Sequence, residues 1–289
     1  MCLCGRERRV YASDVTEKEW AILEPLIPAA KPGGRPQEME RREIVNGILS
    51  VLRSGCPWRL LPHDLPNWST VYLYFREWKQ AGIWEQVNAA LRREVRVSLG
   101  RDPEPSAAII DSQSIKTSSV RGDKRGYDGG KKIRGRKRHL LVDTQGLLMS
   151  VKVLEASLGD REGGRELLLP LVGKLPRLQV IWVDSGYAGA PFEHWVKEHL
   201  GVRLEVVNHP WTGLRGVWAP EGAQIDWDTI MPKGFPILPR RWVVERTNAW
   251  ITYSRRLSRD YEGTYSSSES FIYLPMSKLM VARLARAGP

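Results

Sequence analysis

Apolar positions along the chain fall into two regimes that meet near residue 100. Before it they recur at three- and four-residue spacing, the period of helices that bury one face. Thr16 followed by Glu19 forms a capping box, and Val15 and Trp20 are placed as a hydrophobic staple, so a helix is expected over 15–26. Over 38–55, Ile44, Ile48, Val51 and Leu52 share a face and Gly55 supplies the stop. Two more amphipathic helices are expected at 70–82 and 83–99, divided at Gly82. Pro- and Gly-rich stretches at 28–37 and 56–70 read as connections.

After 100-GRDPEPS-106 the period changes. An apolar run over 107–113 leads into Asp111, and 138–146 and 147–156 read as two strands joined at a Gly-containing turn. A helix over 160–175, a buried strand over 178–186, a helix over 190–201 and a strand over 202–208 follow. Residues 209–239 hold no period, and a length of that kind without structure asks for a functional reason. Over 241–257 helical period returns: Trp242, Ala249, Trp250, Tyr253 and Leu257 line one side. Arg241, Glu245, Asn248, Thr252, Arg255 and Arg256 line the other, and a last helix is expected over 266–286.

The order predicts an α/β protein in two parts. Residues 13–99 form a helical domain with the composition of a helix-turn-helix DNA-binding module, a composition shared by small bundles that bind nothing. Residues 107–286 form a mixed sheet with helices packed on it, interrupted by an insertion at about 209–239. Trp211, Trp218 and Trp227 in that insertion either make its own small core or stack on unpaired bases.

Composition then narrows the partner. Across 289 residues, 44 Lys and Arg oppose 33 Asp and Glu, a net charge of +11, which favours nucleic acid first and an anionic membrane surface second. From Arg121 to Arg138 nine residues are basic and two acidic, so charge of one sign is concentrated in one stretch. Cys2, Cys4 and Cys56 do not make a structural zinc pattern. No apolar run of signal-peptide or membrane-spanning length is seen, so a cytoplasmic or nucleoid location, away from the membrane, is the expectation.

Two carboxylates share a setting. Asp111 and Asp184 each end an apolar strand and each precede a serine. Strand ends are rigid mounting points where a cation offsets the cost of desolvating a carboxylate, and Asp is also an ordinary turn former; both readings fit. With Glu245 on the polar side of a late helix they make three oxygen ligands of the kind that suits Mg²⁺ or Mn²⁺.

The stretches 17-EKEWAILEPLIP-28, 34-GRP-36, 55-GCPWRLLP-62 and 67-NWSTVYLYFREW-78, then 110-IDSQSIKTS-118, 127-YDGGKKIRGRKRHLLVDTQGLL-148, 182-WVDSGYAG-189 and 241-RWVVERTNAWITYSRRL-257, follow in one order. In them the chain resembles the DDE transposases of bacterial insertion sequences, the IS5-like group, over nearly its whole length. The resemblance implies an RNase H-like catalytic domain whose triad falls on Asp111, Asp184 and Glu245 and binds two Mg²⁺ or Mn²⁺ ions. It further implies binding to the terminal inverted repeats, hydrolysis that frees 3′-OH ends, their transfer into target DNA, and a homodimer in the DNA complex. The related third block reads Tyr, two residues, Arg, three residues, Glu, six residues, Lys. Arg241 and Glu245 match it, while Leu238 stands at the Tyr position and Thr252 at the Lys position.

Beside this frame, Lys131, Lys132, Arg134, Arg136, Lys137 and Arg138 precede a strand expected to neighbour Asp111, where they would hold backbone phosphates. Arg241, Arg255 and Arg256 are further candidates for DNA contact, the last two in place of the absent lysine. Tyr187 and Asn248 are expected to support the site. Two other activities fit the same residues: an RNase H-like nuclease without strand transfer, and a transposase-derived DNA-binding protein that no longer cuts.

Overall fold

The computed structural model describes residues 8–29, 40–119, 122–207 and 239–287; the insertion at 209–239 falls outside them except for its last residue. Helix α1 (Glu17–Leu23) starts at the predicted capping box, with Thr16 accepting from the Glu19 amide and the Glu19 side chain accepting from the Thr16 amide. Helix α2 (Arg41–Ser54) ends where Gly55 adopts φ 74°, and α4 (Ile83–Ser98) begins after Gly82 at φ 66°, both conformations that glycine enters without a Cβ penalty. Helix α3 (Trp68–Gln80) follows α2 only after the connection 55–67, which carries a single 3₁₀ turn at Trp58–Leu60. That is far longer than the roughly three to four residues of a helix-turn-helix corner.

The sheet has six strands: β1 (Ala107–Lys116), β2 (Gly126–Asp128), β3 (Ile133–Asp143), β4 (Leu148–Glu155), β5 (Val180–Val183) and β6 (Arg203–Val206). β3 pairs antiparallel with β1, β2 and β4, whereas β1 pairs parallel with β5 and β5 parallel with β6. This is the RNase H-like mixed sheet. Helices α5 (Asp160–Leu168) and α6 (Ala190–Leu200) supply the crossovers between β4, β5 and β6, as parallel pairing requires. They cover one face, packing Leu167, Phe192 and Val196 on Ala108, Ile110, Ile181 and Val183. Among the described residues no helix is long and apolar enough to cross a membrane.

The opposite face carries a second helical layer. Ile109, Leu140 and Val142 join one continuous core with Ile44, Ile48, Val71, Phe75 and Leu91 of the N-terminal helices. Helix α7 (Pro239–Thr252) and the long α8 (Tyr265–Ala287) complete it, α8 packing against α4, β4 and α1. The N-terminal helices and the sheet therefore share a core rather than meeting across a linker. Arg96 of α4 pins the two together, donating to Asp143 at 2.7 Å where both side chains are buried.

Two readings of the sequence are corrected here. Residues 133–138 were expected to precede the strand; they lie inside β3, so successive side chains point to opposite faces and cannot form a basic loop. Arg136 and Arg138 are each 1% exposed. Arg136 donates to Asp260 Oδ2 at 3.2 Å and to the carbonyls of Asp123, Glu262 and Gly263, and Arg138 donates to the Leu257 carbonyl at 2.9 Å. Burial lowers the Arg138 pKa to about 10. The buried face of α7 is only in part the predicted one: Trp250 packs against the core and Leu257 just beyond is buried, but Val244, Thr247 and Ile251 face inward, while Trp242 and Tyr253 are 50% and 75% exposed. Spacings of three and four residues place 244, 247 and 251 on one stripe, and β-branched side chains there pack flat against the sheet.

Candidate active site

Register brings the two aspartates together, although only Asp184 stands at a strand end as expected; Asp111 lies inside the ten-residue β1, which pairs with β3 as far as Lys116. Ile109 of β1 pairs with Trp182 of β5, and continuing that parallel register two residues sets Asp111 beside Asp184. Both follow the alternation that carries Ile109 and Trp182 to the α7 side of the sheet, and both line one narrow depression with Val244. Asn248 of α7 donates its Nδ2 to Asp111 Oδ2 at 3.2 Å. Asp184 caps the turn that follows it, its Oδ1 accepting from the Gly186 amide at 3.0 Å. Each carboxylate is thus oriented by an amide donor from the protein.

Glu245 sits on the same helix, one turn before Asn248, and is exposed. Among the described residues no group of three or more His, Cys, Asp or Glu side chains is gathered closely enough to hold a metal ion. Asp111 and Asp184 are brought together beside Val244 and Asn248 of α7, the helix that carries Glu245. The side chain of Arg241 lies outside the described residues, as do Trp211, Trp218 and Trp227.

Behind the aspartates, on the α5 side of the sheet, stands a buried polar network that the sequence did not disclose. Ser112 donates to Asp160 Oδ1 at 2.9 Å, and Lys137 donates to the same oxygen at 3.0 Å and to the Leu158 carbonyl. A Cβ on Gly186 would meet Asp160 Oδ2 at 2.6 Å and Asp184 Oδ1 at 3.1 Å, so the glycine of the DSGY turn is squeezed between two carboxylates. The glycine pair in α5 has the same kind of cause. A Cβ on Gly163 would lie 2.1 Å from His139 Nε2, and one on Gly164 would lie 2.7 Å from the Phe192 ring. These close approaches, not helix propensity, explain glycines in a helix.

Tyr187 is fully buried, its hydroxyl 2.8 Å from His139 Nδ1. Burial first, then the Asp160, Asp111 and Asp184 carboxylates, push its pKa well above the ordinary tyrosine value, so the hydroxyl stays protonated. Burial lowers the His139 pKa to about 4, leaving a neutral ring. An unfolded histidine titrates near about 6.5. The unfolded chain therefore binds an extra proton between those two values, and this contribution is complete above about 6.5 and lost as pH falls toward about 4. The melting temperature of the wild type should accordingly drop more steeply across that window than that of His139→Gln. Equal slopes for the two proteins would remove His139 as the cause.

The basic residues divide by location. Lys131, Lys132 and Arg134 are exposed around the β2–β3 turn, though Lys131 also reaches the Ser112 carbonyl at 3.1 Å. Arg255 is exposed just after α7. Arg256 is not: it is 7% exposed, stacks on Phe271 and donates to Glu262 and to the Cys56 carbonyl. Its burial follows from the fold, which brings the Cys56 carbonyl against it from 200 residues away while Glu262 and Phe271 close the other side.

Comparison with known proteins follows this division of the chain. Residues 15–88 match the family described as "Putative transposase of IS4/5 family", and residues 102–274, which hold Asp111, Asp184 and Glu245, match the family described as "Transposase DDE domain". A 16.2 kDa protein of unassigned function from insertion element IS402 of Burkholderia cepacia is 33% identical over 110 residues, covering 35% of this chain and 72% of that protein. The protein y4sN of Sinorhizobium fredii, also without assigned function, is 27% identical over 78 residues, 27% of this chain and 62% of its own length. No solved structure matches. With the DDE domain spanning more than half of the sequence, and the IS4/5 family region before it, the chain belongs to the DDE-domain transposases of bacterial insertion sequences.

Proposed function

We propose that this protein binds the terminal inverted repeats of its insertion sequence, hydrolyses phosphodiester bonds there to free 3′-OH ends, and transfers those ends into target DNA. The observation that carries the reading is the β1–β5 register, which sets Asp111 and Asp184 side by side under a helix that offers Asn248 and Glu245. In the first step water attacks phosphorus, the bond to the 3′ oxygen breaks, and that oxygen leaves as a hydroxyl opposite a 5′ phosphate. In the second the freed hydroxyl attacks a target phosphodiester, so one bond forms for each that breaks.

The donor chemistry suits a hard divalent ion. Asp111 and Asp184 supply carboxylate oxygens, Glu245 would complete the set, and the Asn248 Oδ1, buried without a hydrogen-bond partner among the described residues, adds a neutral oxygen nearby. Two Mg²⁺ or Mn²⁺ ions, when bound, supply activation of the attacking oxygen and stabilisation of the leaving one. The chain's own residues hold the carboxylates in place through the Asn248 and Gly186 amides and exclude water behind them with Tyr187 and Phe192. Lys131, Lys132, Arg134 and Arg255 are the exposed cations of the candidate set that would position the duplex, with a homodimer bringing two ends together.

Purified protein, end-containing DNA and Mg²⁺ should give nicked strands ending in 3′-OH, and precut ends should join to a target duplex. End DNA that is bound yet never cut with either ion sinks the reading. Cutting without joining leaves a nuclease. A binding protein that no longer cuts is the second reading, favoured by Leu238 at the tyrosine position and Thr252 at the lysine position. Titration calorimetry with Mn²⁺ in the presence of DNA separates it, because that protein would show no metal uptake.

A further inference from the structure

Along β1 beyond Asp111, a cleft of about 260 Å³ opens. Gln113, Lys116 and Ile133 line it from the sheet, and Thr252, Ser258 and Arg259 line it from the end of α7 and the turn beyond. It shares β1 and α7 with the aspartate site. Gln113 lies two residues along β1 from Asp111 and so on the same face, and Thr252 lies one helical turn beyond Asn248, whose amide holds Asp111.

The hydroxyls of this cleft are already committed. Thr252 donates to its own helix, its Oγ1 at 3.0 Å from the Asn248 carbonyl and 3.2 Å from that of Ala249, and Ser258 donates to the Arg255 carbonyl at 2.7 Å. Thr252 therefore supplies neither the charge nor the donor that a lysine would supply at its position. Lys116 and Arg259 are exposed, and neither makes an ion pair with a described carboxylate. One end of the Gln113 amide is buried without a partner among the described residues, and an amide can present either end to a ligand. Two unneutralised cations and an unsatisfied amide around an open cleft suit a chain of phosphodiesters.

We propose that Lys116 and Arg259 hold backbone phosphates of the DNA strand leading into the Asp111–Asp184 site and so replace the charge missing at Thr252. The proposal rests on the reading of that site as one that acts on DNA. These contacts are to phosphate alone, so they carry affinity and salt dependence without sequence preference.

The test is fluorescence anisotropy of the full chain with a labelled duplex of arbitrary sequence, without divalent metal, across a series of salt concentrations. The Lys116→Ala/Arg259→Ala protein is expected to lose close to two units from the slope of log affinity against log salt, at about 0.9 per phosphate contact. Adding Thr252→Lys to it should recover about one. Lys174→Ala/Lys197→Ala removes the same charge at exposed positions on the turn after α5 and on α6, and should leave the slope unchanged. Melting temperatures confirm that each variant folds. Equal slopes for the wild type and the cleft variant, or an equal loss in the distant variant, overturn the proposal while leaving the transposase reading in place. A wild type that binds no DNA at any salt overturns both.

Discussion

Asp184→Asn is expected to leave the fold and DNA binding in place while slowing strand cleavage by at least about 100-fold, the cost of several kcal/mol of lost charge stabilisation. Asparagine keeps an oxygen for the Gly186 amide, so the turn that buries Tyr187 survives. What disappears is one negative charge beside Asp111. The measurement is the rate of appearance of 3′-OH product, read beside a melting curve and a binding isotherm. Cleavage at the wild-type rate would remove Asp184 from the chemistry, and loss of melting cooperativity would reassign it to folding.

Arg136→Met is expected to act in the opposite way, lowering stability by roughly 3–5 kcal/mol through the loss of one partner from a buried pair. Asp260, whose side chain is fully buried, would keep Ser268 and the Glu262 amide as donors but lose its counter-charge. The carbonyls of Glu262, Gly263 and Asp123 would lose their shared donor as well. For a domain of this size that corresponds to a fall in melting temperature of about 10 °C. The salt slope of DNA binding, measured below the transition, should stay as in the wild type. A folded variant with a smaller slope would return Arg136 to the DNA surface.

The contrast between these residues shows what a single sequence discloses. The juxtaposition of Asp111 and Asp184 follows from a local signal, an apolar run, a carboxylate and a serine, repeated on two strands that pair in parallel. The caps at Thr16, Gly55 and Gly82 were legible because their signal is local too. Arg136, Arg138 and Arg256 misled because a basic run reads as solvated surface unless its partners are known, and Asp260, Leu257 and Cys56, a partner of each in turn, stand more than a hundred residues away. Asp160 was missed because its role comes from Ser112 and Lys137 on two other strands. The face of α7 was misjudged in part for a related reason: tryptophan and tyrosine outweigh valine and threonine in apolar area, yet the shape of the sheet selected the smaller side chains.

The core shared by the N-terminal helices and α8 bears on synthesis. Ribosomes deliver residues 17–98 first, at about 5–20 residues per second, and chains usually fold domain by domain in that order. Here Ile44, Phe75 and Leu91 gain their full cover only when Phe271, Met276 and Met280 have emerged. A message truncated before residue 265 thus yields helices with an open apolar side, prone to association. The last helix is in effect the lid that makes the first ones presentable.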